Sequence, residues 1–381
     1  MTTAFAQTKI REVPFFSCAQ AFERQWPELK TRLQETVTRG RYSQDITVDR
    51  LENEIRAYTS ASYAIAAGNG TDALALLLKA AGIGRGDEVI VPCFTFVASA
   101  TSIVHAGATP VFVDIDPITY TLDVEQVSAR ITERTRAIMP VHLFAQMADM
   151  TLLQEIAQKA NLQIIEDSAE AIGMRYAETH AGLLGTGGVL SFFPTKTLGA
   201  LGDAGMVLTN HSQIAEKVIA LRNPVLDDEV YGGASRMDEI QAAVLLTRLA
   251  ELDLDIAKRA KLALHYDVQL AELYPQVRTP AIVKRLANTT AVYYVYVIET
   301  ERKRELIPYL SAHGVGTEEY YPMPLHLQAC FAHLGYRLGD FPNAENTCLR
   351  TVALPLYPDM MEDDVDYVCD VITSFHRGVR S

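Results

Sequence analysis

The sequence lacks a long hydrophobic run. Its most apolar stretches, Ala73 to Ala81 and Phe94 to Val104, are too short or too interrupted to cross about 30 Å of hydrocarbon. Residues 1–12 mix Thr, Gln, Lys, Arg and Glu and lack the unbroken apolar core of a secretory signal. We therefore expect no membrane span and a cytoplasmic location.

Cysteine and positive charge are also scarce. The five cysteines are an odd number, are widely spaced, form no C-x-x-C pair and have no histidine at zinc-finger spacing. Acidic residues outnumber basic ones by 47 to 34, which gives a net charge of −13. These features argue against a disulfide framework, a metal site and general affinity for nucleic acid. An anionic ligand would need a local group of amides or cations.

What the sequence does contain is a strict alternation of short apolar runs with helical patterns. The predicted strands are residues 63–67, 88–91, 110–114, 136–144 and 163–166, and the predicted helices are 73–81, 97–106 and 150–160. Such β-α-β alternation predicts an α/β fold with a mostly parallel sheet that helices cover on both faces. Ligands of such sheets bind at the carboxyl ends of the strands.

The composition changes in the last third of the chain. Met237–Leu264 is rich in Ala, Leu, Glu and Arg without Gly or Pro, which predicts a long helix that connects two domains. Thr290–Glu299 is β-branched and aromatic, and two further helical patterns follow it. We therefore predict an N-terminal segment and large domain over residues 1–254, and a smaller α+β domain over residues 255–381.

The segment Gly68-Asn69-Gly70-Thr71-Asp72-Ala73 follows an apolar strand and opens an apolar helix. Backbone N–H groups at a helix N-terminus, together with the helix dipole, favour a phosphate. Alone, the segment is ambiguous. It also fits the G-x-G-x-x-A form of a dinucleotide fingerprint, with Asp87 and Glu88 about 20 residues further on. It fits equally a tight turn with a capping Thr or Asp.

Two side chains are expected at the carboxyl edge of the predicted sheet. Phe96 lies just beyond the apolar run at 89–92, where an aromatic face can stack on a flat ligand, although such an aromatic is more often part of the core. Asp167 directly follows the strand at 163–166. A carboxylate there suits a protonated pyridine nitrogen, which lets the ring of pyridoxal 5'-phosphate (PLP) accept electrons. The alternative for Asp167 is a helix-capping role.

Lys196 lies in an apolar, glycine-bounded stretch, Leu190–Gly199, whereas most lysines are on solvated faces. An amine in such surroundings can attack a carbonyl carbon and later transfer protons. Ser191 is close in sequence and is a candidate donor to the cofactor phosphate. A single lysine is weak support. The ordered set of phosphate-binding segment, aromatic ring, aspartate and lysine predicts a PLP enzyme in which Lys196 holds the cofactor as a Schiff base.

These residues resemble the DegT/StrS family of sugar aminotransferases over nearly the whole chain. The resemblance runs through GDEVIVP at 86–92, FVDID at 112–116, IED at 165–167, SFFPTK at 191–196, RMDEIQAA at 236–243 and YPMPLH at 321–326. It implies fold type I, the fold of aspartate aminotransferase. That fold has a large α/β domain with a mostly parallel, seven-stranded sheet flanked by helices, and a smaller C-terminal α+β domain.

The resemblance also implies a role for individual positions. The catalytic residues are Lys196, which binds PLP, and Asp167, which contacts the pyridine nitrogen. The expected cofactor contacts are Gly70, Thr71 and Ser191 at the phosphate, Phe96 stacked on the ring, and Glu170, where many members have Gln. The side chains expected to face the sugar are Tyr321 and His326.

Three other positions depart from the family pattern. Ala145 stands where Gly is usual, and Tyr320 stands where His is frequent. Ala234 stands where many members have an Asn that reaches the PLP phosphate of the neighbouring subunit. Nearby candidates to replace that donor are Ser235, Asn223 and Arg222.

The function implied by the resemblance is transfer of an amino group from an amino acid, commonly L-glutamate, to a nucleotide-linked 3- or 4-keto-sugar. The family is typically homodimeric with shared active sites. Lysine at 196 favours transamination over the family's dehydratases, which have His there. Three alternatives stay open: a cyclitol ketone as acceptor, a regulatory protein on a PLP-binding fold, and a nicotinamide-dependent sugar oxidoreductase. The last would leave Asp167 and Lys196 without roles.

Overall fold

The structure is a computed structural model that describes residues 11–224, 226–227 and 230–378. The first ten residues, on which part of the expectation about a secretory signal depends, lie outside the described residues. Within the described ranges, no helix is both long enough and apolar enough to span a membrane.

The helices and strands alternate along the first half of the chain. The helices are α1 Ala19–Arg39, α2 Ile46–Thr59, α3 Gly70–Ala80, α4 Val97–Ala106, α5 Val124–Val127, α6 Met150–Ala160, α7 Ser212–Leu221, α8 Glu239–Leu249, α9 Leu252–Leu270, α10 Lys303–Ala312, α11 Pro342–Arg350 and α12 Glu362–Arg377. The strands are β1 Tyr63–Ala67, β2 Glu88–Pro92, β3 Thr109–Val113, β4 Thr135–Ile138, β5 Gln163–Asp167, β6 Arg175–Tyr176, β7 Thr179–His180, β8 Gly187–Ser191, β9 Gly205–Thr209, β10 Leu226–Asp227, β11 Val230–Tyr231, β12 Tyr296–Glu299 and β13 Thr351–Leu354.

Seven strands form one sheet in the order β1-β9-β8-β5-β4-β2-β3. The pairs from β8 through β3 are parallel, and β9 is antiparallel to both of its neighbours. Both faces are buried: Ile65 and Ala67 of β1 pack in one core, while Ala64 and Ala66 pack in another. The predicted α/β class with a mostly parallel, seven-stranded sheet is confirmed.

Two predicted strands are shorter than their sequence patterns. In the run 136–144, β4 ends at Ile138, close to Pro140, which lacks an N–H donor. Val141 then forms an isolated parallel bridge with Asp167, and the chain turns at Phe144, where φ is 60°. In the run 290–299, only Tyr296–Glu299 pairs, with β13. The residues that leave these strands carry side chains into the cavity described below.

The predicted connecting helix over Met237–Leu264 is two helices, α8 and α9, which are separated by Ala250 and Glu251. Asp253 and Asp255 lie in the first turn of α9, where a carboxylate interacts favourably with the positive end of the helix dipole. The acidic cluster is therefore a helix-start signal inside the run. The prediction of one continuous helix over these residues was wrong, because the chain forms two helices there.

A second core lies around the antiparallel pair β12 and β13 and includes side chains of α9, α10 and α12. Val13, from the N-terminal segment, belongs to this core and pairs with Val315. The predicted boundary between residues 254 and 255 falls inside α9. The division into domains over 1–254 and 255–381 therefore stays a prediction.

Candidate active site

A cavity of about 510 Å³ lies beyond the carboxyl ends of the sheet strands. Its wall contains residues that follow β1, β2, β4, β5 and β8, the usual place of a ligand-binding crevice in a mostly parallel sheet. The predicted site residues that line it are Gly70, Thr71, Phe96, Asp167, Glu170, Ser191, Lys196 and Tyr321. Residues separated by long stretches of sequence thus meet in one place.

The amine of Lys196 faces this cavity. Only 14% of the Lys196 side chain is exposed, and its Nζ lies 3.1 Å from Oε1 of Glu170. The same Nζ lies 4.1 Å from the centre of the Tyr294 ring. The other oxygen of Glu170 accepts the backbone N–H of Phe144 at 2.8 Å. The Lys196 amine is therefore held by an anion and an aromatic face, while its carboxylate partner is itself fixed.

Asp167, the last residue of β5, is buried in the cavity wall. Ser99 Oγ donates to Asp167 Oδ2 at 2.6 Å, and the N–H of Ala169 donates to Oδ1 at 3.2 Å. Ser99 Oγ also lies 3.0 Å from Thr95 Oγ1. The sequence analysis missed Ser99 and Thr95, although a buried carboxylate requires hydrogen-bond donors and both hydroxyls flank the start of α4.

Glu166 is adjacent to Asp167 and points to the other face of the sheet, because successive strand residues alternate. It is fully buried and lies 3.0 Å from His142 Nε2. The N–H of Ala148 donates to His142 Nδ1, so the proton is on Nε2 and is donated to Glu166. Three backbone N–H groups complete the shell of Glu166, those of Gly182, Leu184 and Gly185. Asp167 is the acid of the two that reaches the cavity.

The start of α3 and the end of β8 form the polar end of the cavity. Asn69 caps α3 by accepting the N–H of Asp72 at 2.8 Å. The amides of Gly70 and Thr71 are in the first turn, where they have no acceptor within the helix. A Cβ at Gly70 would lie 3.0 Å from Cβ of Ser191, so this close approach requires glycine. First-turn amides beside a serine hydroxyl are a suitable site for a phosphate.

Aromatic rings form the wall beyond Lys196. The hydroxyl of Tyr294 lies 3.0 Å from Thr195 Oγ1 and 3.5 Å from the hydroxyl of Tyr320. Burial, with the nearby Glu170 carboxylate, raises the pKa of Tyr294 to about 12, and burial also raises the pKa of Tyr320. Both phenols therefore stay protonated. The sequence analysis missed Tyr294, which lies in a run whose pattern indicated only a strand.

Of the two residues expected to face the sugar, only Tyr321 lines the cavity. Its ring packs 5.4 Å from that of Phe94 and 6.5 Å from that of Phe96. The structure does not bring His326 to the cavity. His326 is buried, its Nε2 lies 3.0 Å from Glu345 Oε1, and its ring packs on Phe341. This contact with Glu345 holds the imidazole away from the site.

Ala234 and its three candidate replacements are not among the described residues that line this cavity. Ala234 is exposed. Ser235 Oγ donates to Asp72 Oδ2 at 2.7 Å and accepts the N–H of Gly68 at 3.2 Å. The Arg222 side chain donates hydrogen bonds to Glu52 and to the carbonyl of Ala66. The Asn223 side chain accepts a hydrogen bond from Gln44 and donates one to the carbonyl of Ile219. Each of the three candidates thus has a hydrogen-bond partner within the chain, while Arg222 Nε has none among the described residues. A contact from this loop to the phosphate of a neighbouring subunit stays a prediction.

The donor set fits PLP. PLP needs a carboxylate for its pyridine nitrogen, an amine for its aldehyde and hydrogen-bond donors for its phosphate. The cavity offers Asp167, fixed by Ser99, the amine of Lys196, and the start of α3 together with Ser191. An aromatic ring, Phe96, is also present in the wall.

A sequence model of the DegT/DnrJ/EryC1/StrS aminotransferase family matches residues 25–373. The chain is 43% identical over 370 residues to a pleiotropic regulatory protein of Geobacillus stearothermophilus, covering 96% of this chain and 99% of that protein. It is 37% identical over 371 residues to the dTDP-3-amino-3,4,6-trideoxy-alpha-D-glucose transaminase of Streptomyces venezuelae, covering 96% and 97%. The crystal structure of S. venezuelae DesV superposes with a TM-score of 0.92 at 37% identity, covering 97% and 99%.

Proposed function

Because the chain belongs to the DegT/DnrJ/EryC1/StrS aminotransferase family, we propose that it is a PLP-dependent aminotransferase that aminates a nucleotide-linked keto-sugar. The amino donor in this proposal is L-glutamate. The observation that carries the proposal is the position of Lys196, whose amine faces the cavity beside Glu170 and in the same cavity as the buried Asp167. A dehydratase would lack this amine.

Each residue of the site has a defined task in this proposal. When bound, PLP supplies an electron-accepting ring for the substrate carbon that loses its proton. Lys196 would hold the cofactor through Nζ and would accept and return a proton at that same atom. The Asp167 carboxylate keeps the pyridine nitrogen protonated. The start of α3 and Ser191 hold the phosphate.

The acceptor is a 3- or 4-keto-sugar joined to a nucleotide. The Streptomyces relative is a transaminase of a dTDP-linked amino-sugar, which supports this class of acceptor. The cavity volume of about 510 Å³ lies within the usual range for a small-molecule site, roughly 300–1,000 Å³. A cyclitol ketone is a competing acceptor and belongs in the same assay.

The proposal includes a homodimer with shared active sites. Phe96 and Phe193 are 58% and 49% exposed although both line the cavity, and nearby Leu201 is 53% exposed. Exposed apolar side chains grouped around a site are typical of an interaction surface.

The proposal also includes a cytoplasmic location. The five cysteines are free thiols, which fits the reducing cytoplasm.

The proposal is tested by incubating the purified protein with PLP, L-glutamate and nucleotide-linked 3- and 4-keto-sugars and measuring 2-oxoglutarate. Lys196→Ala should remove nearly all transfer. The matched control, Lys217→Ala, changes an exposed lysine of α7 and should leave transfer intact. Borohydride reduction followed by peptide mapping should find the cofactor on Lys196. Fixation to any other lysine would contradict the assignment.

A regulatory role is the second candidate, because the Geobacillus relative is named a pleiotropic regulatory protein. That role predicts cofactor binding without turnover. A protein that binds PLP on Lys196 but transfers no amino group to any keto-sugar or cyclitol ketone would favour regulation over catalysis.

A further inference from the structure

Tyr320 lies in the cavity wall. Its phenol hydroxyl makes few hydrogen bonds within the protein. In the described part of the chain its hydroxyl has one polar contact, 3.5 Å from the hydroxyl of Tyr294. An ordinary O–H···O bond is about 2.7–2.8 Å long. Tyr294 instead makes its shorter contact, 3.0 Å, with Thr195. The Tyr320 hydroxyl therefore keeps most of its capacity to donate and accept.

The ring of Tyr320 is held in place by its neighbours. Its centre lies 5.5 Å from that of Tyr321, 6.1 Å from that of Phe15 and 6.3 Å from those of Phe144 and Tyr294. Thr351 Oγ1 also donates to the Tyr320 carbonyl at 3.1 Å. A side chain fixed on several sides presents its hydroxyl in one position before any ligand arrives, which is what selective recognition requires.

The surroundings of the phenol define the group that it would recognise. Burial, followed by the neighbouring Tyr294 and the Glu170 carboxylate, raises the pKa of Tyr320, so the phenol is neutral at physiological pH. A neutral group that both donates and accepts suits a hydroxyl. Lys196 Nζ lies 4.1 Å from the centre of the Tyr294 ring, and that ring centre lies 6.3 Å from the centre of the Tyr320 ring, so Tyr320 is at the amine end of the cavity. The partner is therefore close to the reacting carbon.

We propose that Tyr320 determines which keto-sugar is accepted, by hydrogen bonding to the hydroxyl at C4 of a 3-keto-sugar or at C3 of a 4-keto-sugar, next to the carbonyl carbon. This inference rests on the proposed amino-transfer function and narrows its substrate class. The preferred acceptor keeps that hydroxyl, and a sugar that is deoxygenated there is a poor substrate. A site built to bind a hydroxyl rejects the analogue without it, because the buried polar group of the protein is left unpaired.

The test measures steady-state kcat and KM of the PLP-loaded enzyme for dTDP-linked amino-sugars in the reverse direction, with 2-oxoglutarate as the amino acceptor. The probes are a 3-amino-6-deoxyhexose with or without its 4-hydroxyl, and a 4-amino-6-deoxyhexose with or without its 3-hydroxyl. The unmodified protein should prefer the hydroxylated member of the pair it uses by about tenfold or more in kcat/KM. Tyr320→Phe should lower kcat/KM for that member by about tenfold, mainly through KM, and leave the deoxygenated member unchanged.

Three comparisons separate recognition from a merely structural role. The half-reaction with L-glutamate should be unchanged in Tyr320→Phe. Tyr320→His, which restores a side chain able to donate and accept, should regain part of the preference. Tyr293→Phe, a change of a neighbouring tyrosine that packs on the second core, should behave as the unmodified protein does.

Equal losses on both sugars, a slower glutamate half-reaction, or a preference of the unmodified protein for the deoxygenated sugar would overturn the role of Tyr320. None of these outcomes affects the proposed function, because each still requires amino transfer. Failure of the proposed function has a different signature, which is the absence of turnover with L-glutamate and with every amino-sugar.

Discussion

At the scale of single residues, the two adjacent carboxylates of β5 have different tasks. Glu166 has four hydrogen-bond donors and lies on the face away from the cavity, so its buried oxygens are satisfied within the fold. Asp167 faces the cavity with Ser99 as its donor. Substitutions at these neighbours are therefore expected to affect different properties, stability at Glu166 and chemistry at Asp167.

Asp167→Asn is expected to raise the activation barrier of amino transfer by about 3 kcal/mol, the usual effect of removing a preorganised charge or donor at a reacting centre. The fold should be retained, because the Asn carbonyl oxygen can still accept from Ser99. The measurement is the single-turnover rate with L-glutamate. Glu166→Gln is the matched comparison, and it should lose about 1–3 kcal/mol of unfolding free energy by placing an amide against N–H donors. Unchanged turnover in Asp167→Asn would remove Asp167 from the mechanism.

His180 is expected to make the stability of the protein depend on pH. Its Nε2 accepts the N–H of Gly173 at 2.9 Å and its Nδ1 donates to the carbonyl of Ala181 at 2.6 Å, so the buried ring is neutral. Burial lowers the pKa of His180 to about 4. The unfolded chain binds a proton near pH 6.5, whereas the folded chain does not bind it until about pH 4. Stability is therefore full above that window and falls as the pH drops through it.

The expected loss from His180 alone is about 2 kcal/mol between pH 7 and pH 5. Urea unfolding at both pH values, compared with the same pair for His180→Gln, isolates this contribution because the variant does not titrate there. The same pH dependence in both proteins would show that other groups are responsible.

At the scale of elements, the contact between the start of α3 and the end of β8 is expected to decide cofactor affinity. Ser191→Ala removes a hydroxyl from the polar end of the cavity, and a hydrogen bond to a charged group is worth about 1.5–3 kcal/mol. PLP affinity, measured by dialysis and reconstitution, should fall by about tenfold or more. Gly70→Ala should weaken it further, because the new Cβ would lie 3.0 Å from Ser191 Cβ and push the first turn of α3 away.

Ser212→Ala, at the exposed start of α7, is the control for this pair. It removes a serine from another helix N-terminus without touching the cavity. If Ser191→Ala and Ser212→Ala bind PLP equally well, the phosphate site is not at the start of α3.

At the scale of the whole molecule, the exposed aromatic side chains around the cavity predict a dimer. Phe193→Glu places a charge in the middle of this surface and should yield monomers in analytical ultracentrifugation, together with weaker PLP binding if the site is shared. Leu338→Glu is the control, because Leu338 is the more exposed residue at 77% and does not line the cavity. Equal dimer content in both variants would move the interface elsewhere.

The sequence by itself determined the fold class and brought several side chains to one edge of the predicted sheet. Apolar runs such as Tyr63–Ala67 and Gln163–Asp167 are local patterns, and the alternation of strands with helices leaves few arrangements other than a parallel sheet. Since the carboxyl ends of parallel strands meet at one edge, Asp167 and Phe96 could be placed together without knowing any contact between them. The resemblance added the expected cofactor and the role of Lys196.

Only the tertiary structure decided the partners of those side chains. Ser99 and Asp167 are 68 positions apart, and Thr195 and Tyr294 are 99 apart. His326 was placed beside Glu345 rather than in the cavity, although its motif predicted otherwise. A local pattern tells which face of a strand or helix is buried. It does not tell which distant polar group will satisfy a buried hydrogen bond, because that choice depends on how separate elements pack.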